Sequence, residues 1–178
     1  MDKNSKGVVK NEGELDLEQI NQLINSIENS LTDLKKLLFD SNYEKIAKTK
    51  LSKHEKNNGK IVEGVFNGEE MIDGNGKHYQ VPPNYASKSK LVAGDILKLT
   101  VSSDGSFIYK QIGPVDREKI VGQIHEKSGK FQVDANGKVF NVLQASVTFF
   151  KAKSGDRVTI VVPKNQECSW AAIENLIN

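Results

Sequence analysis

One cysteine, one tryptophan, two methionines and four prolines in 178 residues exclude several classes of protein at once. Single Cys168 forbids an internal disulfide. The histidines, His54, His78 and His125, are scattered, so no clustered ligand set for a metal forms and neither a metal nor another cofactor is expected. The three imidazoles are expected to be exposed loop or strand residues without a catalytic role. No apolar run approaches the roughly 20 residues that span a bilayer, and MDKNSKGVVKNEGELD lacks the apolar centre of a signal peptide. A cytoplasmic location without membrane contact is therefore expected. The sequence also lacks GxSxG, the phosphate loop GxxxxGK[ST], HExxH and any Cys-His pairing. No catalytic residue is assigned.

Charge is scarce in net terms, +2, but unevenly spread. Residues 41–60, SNYEKIAKTKLSKHEKNNGK, carry six lysines against two glutamates. With only Ile46 and Leu51 to bury, that composition does not offset the entropy of ordering, and 41–59 reads as a flexible basic linker. It is also the one concentrated field that could attract a polyanion.

Upstream of it, residues 1–14 read as a disordered polar tail and 15–40 as a helix. Leu17, Ile20, Ile24, Ile27, Leu31, Leu34 and Leu38 follow one another at intervals of 3, 4, 3, 4, 3 and 4. A repeat of 3.5 residues keeps a narrow apolar seam facing a partner helix, the pattern of a coiled coil. Asp16, with Gln19 three residues on, forms a capping-box start, and Ser41-Asn42 ends the helix. Three heptads seldom hold alone in water, so the seam needs an apolar partner. Self-association is expected, with docking onto the chain's own C-terminal domain as the alternative. Leu at most a positions with Ile at two d positions leans toward more than two strands.

From residue 60 the texture changes to short β segments punctuated by Gly and Asn. Leu91 to Val101, LVAGDILKLTV, is built twice, the second time as AKSGDRVTIVV. In both, a Gly-Asp pair precedes alternating apolar residues, the period of a strand with one buried face. Gly94, Asp95, Gly155 and Asp156 read as structural: the Gly takes the turn conformation and the Asp accepts backbone N–H groups. At the same offset of 61, MIDGNGKHYQV matches QVDANGKVFNV in five of eleven positions. The shared register continues through Tyr109 with Trp170 and Ile112 with Ile173. KIVEGVF and KIVGQIH open the two copies. DGNGKH and DANGKV lack calcium-loop spacing and read as hairpin turns, Asn75-Gly76 supplying two positive-φ positions. The result is an internal duplication, repeats 60–112 and 119–178. Each copy has too few strands to bury a sheet face alone. Two copies pairing about a pseudo-twofold axis into one closed β-barrel would remove exposed edges, and two small barrels in tandem are the alternative.

A β-β-short helix-β unit, doubled, with Gly94-Asp95 and Gly155-Asp156 leading into the strand after each helix, resembles the cradle-loop barrels. That group holds the double-psi and RIFT-type barrels. The likeness covers 60–178 and implies a mainly β, pseudo-twofold duplicated barrel behind the N-terminal coiled-coil helix. It says little about activity, because the group includes enzymes, chaperone domains and nucleic-acid binders. ASKSKLVAGDILKLTVSSDGSFIYKQIGP is similar in texture to the C-terminal domain of Gre-type transcript-cleavage factors. Those factors hold a catalytic metal at an acidic helical tip. Asp33 and Asp40 on a single helix form no such tip, so this likeness implies binding to RNA polymerase without cleavage.

The candidate binding surface precedes each Gly-Asp pair: Tyr85, Lys88 and Lys90 in the first copy, Phe149, Phe150, Lys151 and Lys153 in the second. Aromatics interleaved with lysines suit base stacking and phosphate neutralisation. The expected function is a non-enzymatic oligomeric binding or adaptor protein, its partners itself and RNA or a protein of the transcription or translation machinery. An enzyme with its site in the barrel cradle is the alternative.

Overall fold

The structure, a computed structural model, describes residues 17–50 and 60–177. The tail, the Asp16 cap, residues 51–59 of the linker and His54 lie outside the described residues. The chain divides into a unit ending at Leu37 and a unit from Leu38 onward.

Helix α1 (Leu17–Lys50) crosses that division. It does not end at Ser41-Asn42. The stripe changes phase at Phe39 and continues as Phe39, Tyr43, Ile46 and Ala47, the i, i+4, i+7, i+8 spacing of one helical face. Within the second unit these residues pack on Val65, Ile72 and Ala93, with Tyr43 and Ala47 fully buried. This burial stabilises a segment whose lysine-rich composition alone would leave it loose, so residues 41–50 are helix and not linker. Among the described residues, no helix is long and apolar enough to cross a membrane.

The second unit is mainly β. Its first half contains β1 (Lys60–Phe66), β2 (Glu70–Asp73), β3 (His78–Gln80), α2 (Pro83–Lys88), β4 (Ile96–Val101) and β5 (Phe107–Gly113). The second half repeats that order as β6 (Arg117–Lys127), β7 (Lys130–Ala135), β8 (Lys138–Val142), α3 (Gln144–Phe150), β9 (Arg157–Pro163) and β10 (Trp170–Ile177). Pairings repeat too. β1 lies antiparallel between β2 and β4, as β6 lies between β7 and β9.

The halves do not interleave into one barrel. The first forms a five-stranded sheet in the order β3-β2-β1-β4-β5, and the second pairs β10-β8-β7-β6-β9 and returns to β10 as a closed barrel. Leu97 belongs to one apolar core and Val158 to another. The second half closes because β10 runs parallel to β8, Trp170 opposite Asn141. At the matched place in the first half the Tyr109 hydroxyl donates to the Gln80 carbonyl at 2.7 Å, a single side-chain bridge across a seam without a strand ladder.

Two glycines let the opening strands lie close against a neighbouring carbonyl. A Cβ on Gly64 would lie 2.7 Å from the Ile72 carbonyl oxygen, and one on Gly122 would lie 2.5 Å from that of Asp134. That closeness leaves space only for hydrogen. The opening strands also match one residue away from the register that KIVEGVF and KIVGQIH suggest. The Phe66 N–H donates to the Asp95 carbonyl and the Ile124 N–H to that of Asp156, so Phe66 corresponds to Ile124 and not to His125. Hairpin chemistry differs as well. Asn136 and Gly137 both have positive φ, whereas in the first half only Gly76 does. Asn75 instead donates its N–H to Asp73 Oδ1, which also accepts from the Lys77 N–H. An Asx turn thus replaces the expected two-residue turn.

Candidate functional site

Both Gly-Asp pairs adopt one backbone geometry. Gly94 has φ 97° and Gly155 φ 98°, a region that L side chains rarely adopt. Each Asp carboxylate then accepts the N–H three residues back, Val92 to Asp95 at 2.8 Å and Lys153 to Asp156 at 2.7 Å.

Their surroundings differ. Asp95 is completely buried and its Oδ2 also accepts Gln111 Nε2 and Arg117 Nη2, each at 2.8 Å, while Oδ1 accepts the Val115 N–H at 3.0 Å. Arg117 Nη1 continues to the Lys90 carbonyl. The first box is therefore a knot that ties the opening of the second half onto the first. Asp156 is half-exposed. Sequence reasoning missed Gln111, Val115 and Arg117, since they lie 16 to 22 residues from Asp95 and share no motif with it.

Helices α2 and α3 meet through a buried hydrogen bond from the Ser146 hydroxyl to that of Ser87, 2.9 Å long. This contact brings the two candidate stretches to one region. Their side chains do not all face solvent. The Tyr85 ring is half-buried, 6.2 Å from that of Tyr109, and packs on the first core. Phe150 packs on the second core. Lys90 is paired with Glu174 at 3.3 Å, and Glu174 also holds Lys119 at 3.2 Å. Lys88, Phe149, Lys151 and Lys153 remain at the surface. Phe149 is 64% exposed, its ring edge-on to Phe150 at 5.0 Å.

Between the halves, beside this contact, lies a small crevice. Gly68, Ala86, Leu91, Leu143, Ser146 and Trp170 are among its lining residues. The Ser146 hydroxyl is already committed to Ser87, and the lining includes no acid or base. Of the two histidines described, His78 Nδ1 lies 2.8 Å from Glu70 and His125 Nδ1 lies 3.4 Å from Asp134. Neither borders the crevice. Burial pushes the Cys168 thiol up to about 11 and the Tyr109 hydroxyl up to about 12, so both keep their protons at neutral pH and serve packing. Burial likewise raises Tyr43, helped by Cys168 and Asp40. Among the described residues no group of three or more His, Cys, Asp or Glu is placed to hold a metal ion.

No family model and no curated protein matches this chain.

The other candidate surface is the first part of α1. Leu17, Ile24, Ile27, Leu31, Leu34 and Leu38 are 48% to 77% exposed, and Leu23 and Leu37 extend the same character. Ile20 is half-buried.

Proposed function

We propose that the protein is a non-enzymatic, self-associating binding protein whose β unit is presented in several copies through the N-terminal part of α1. The exposed apolar stripe from Leu17 to Leu38 carries this reading. A continuous apolar face of that length in water is a docking surface, since monomeric soluble proteins seldom leave one uncovered. Its 3.5-residue repeat suits a second copy of the same helix better than a broad sheet face. The crevice between the halves supports binding over catalysis, because its lining offers no proton donor or acceptor of suitable pKa. Several linked copies raise avidity for a large or repeated partner without any new interaction, which suits an adaptor on RNA or on the transcription or translation machinery.

Light scattering of the full chain tests the proposal. The expected mass is a multiple of 19.7 kDa, falling to the single-chain value in an Ile24→Glu/Leu31→Glu variant that leaves the β unit folded. A wild-type chain that stays monomeric at tens of micromolar overturns it.

A further inference from the structure

We propose that the end of α3, with Phe149, Lys151 and Lys153, and Lys88 on the neighbouring α2, binds single-stranded nucleic acid, the Phe149 ring stacking on a base while the lysines neutralise phosphates. The inference goes beyond self-association and does not depend on it.

The two halves supply an internal comparison. Lys90 and Lys151 occupy matched positions, 61 residues apart, and both have a left-handed backbone, φ 49° and 53°. Glycine adopts that conformation at lower cost, so each lysine sits on a backbone that does not favour it. Lys90 has an evident use in its ion pair with Glu174. Lys151 is exposed, and no carboxylate lies within ion-pair distance of it among the described residues. Two positions on, buried Val92 is matched by exposed Lys153. Both donate their backbone N–H to the Asp of the box. The backbone task is thus the same, while the side chain has changed from core to cation.

Phe149 points the same way. Its neighbour Phe150 reaches the core, and the edge-on contact between the two rings holds Phe149 in place with most of its surface in water. An exposed aromatic ring two and four residues from exposed lysines that make no ion pair among the described residues is the combination that suits unstacked bases and their backbone. An acidic peptide would satisfy the lysines but leave the ring unused. The α2–α3 hydrogen bond joins the helix that carries exposed Lys88 to the helix that ends at Phe149 and Phe150.

The test is fluorescence anisotropy of the full chain with a labelled single-stranded oligouridylate over a range of salt. Binding at low salt that weakens steadily with added salt is expected. Phe149→Ala should weaken it by about 5- to 150-fold and Phe149→Tyr should retain it. Lys151→Ala/Lys153→Ala should lower the slope of log affinity against log salt by about 1.4, from roughly 0.7 for each phosphate that is no longer neutralised. Lys110→Ala, an exposed lysine on β5, should leave both unchanged. All the altered side chains are exposed, so the variants keep the fold. The proposal is overturned by any of four results: no binding at low salt, Phe149→Ala binding like the wild type, Lys110→Ala weakening it as much as the Lys151/Lys153 pair, or equal binding of a labelled polyglutamate. The Ile24→Glu/Leu31→Glu variant separates this from self-association. Loss of avidity there with the Phe149 effect intact bears on the oligomer alone.

Discussion

The same element order and strand pairings produce an open sheet in the first half and a closed barrel in the second, and the difference lies in what covers each. The first half has outside support. Tyr43, Ile46 and Ala47 of α1 pack on Val65 and Ile72, and the junction residues Val115 and Arg117 anchor in the Asp95 box. Among the described residues the second half has no such buttress at its own box, and it closes its sheet edge by pairing β10 with β8. A sheet edge needs either a partner strand or a cover, and this chain uses one solution in each half. Polar residues follow the same division. Asp73 and Asp95 are buried, while their counterparts are exposed at Asp134 and half-exposed at Asp156.

The largest test of that contrast is the pair Asp95→Ala and Asp156→Ala. Removing the buried carboxylate leaves Arg117 and Gln111 without their acceptor and frees the Val92 and Val115 N–H groups. Breaking a buried ion pair on one side costs about 3–5 kcal/mol. Losing Asp156 removes one half-exposed hydrogen bond, about 0.5–1.5 kcal/mol. Urea denaturation of both variants measures the gap, and equal costs would mean that the boxes are equivalent after all. Next come Gly64→Ala and Gly122→Ala. Both strands approach a carbonyl closely enough that a methyl group must push the backbone aside, so about 1–3 kcal/mol is expected in each half. A cost in only one would show that the close approach matters to that half alone and not to the shared pairing.

Tyr109→Phe is a smaller and more local change. It deletes the hydroxyl that reaches Gln80 across the open seam, about 0.5–1.5 kcal/mol. Amide exchange should accelerate at β3 and stay unchanged at β8, where backbone pairing does the closing. Acceleration in both would make the seams one cooperative unit.

How much of this was legible follows from the range of each interaction. Gly94-Asp95 and Gly155-Asp156 are local devices, and sequence reading recovered their turn chemistry, the strands after them and the helix of α1. Asn75-Gly76 misled because Asp73 two residues earlier competes for the same N–H groups, a contest that composition does not display. One interleaved barrel is expected because the two matched stretches look interchangeable, whereas the halves also differ through residues outside the match: Arg117 at the junction and the cover from α1. That cover did leave a trace. Phe39, Tyr43, Ile46 and Ala47 share a helical face, but six lysines across residues 41–60 masked it. At the candidate surface, Tyr85 and Phe150 carry the same residue types as their exposed neighbours, and only the direction of each side chain separates packing from binding.

Cys168 gives the finest test, since it lies where the second half meets α1, touching both that core and the Tyr43 cluster. Its counterpart 61 residues earlier, Phe107, is exposed, so partial burial at this position marks the second half's side of the contact. Burial raises the thiol from 9.0 to about 11 in the folded chain. The unfolded chain therefore releases this proton first, and between about pH 9 and pH 11 the folded state holds more protons than the unfolded one. Stability contributed by the neutral thiol is complete below that window and is lost as pH rises through it. Cys168→Ala should flatten the fall in stability between those pH values while changing little at pH 7 beyond the reduced packing. Reaction of the wild-type thiol with a disulfide reagent at pH 8 should be slower than that of the urea-unfolded chain, because the thiolate is the reactive form. A folded thiol that reacts as fast as the unfolded one would show that α1 does not stay seated on the β unit. The cover that distinguishes the first half from the second would then be transient.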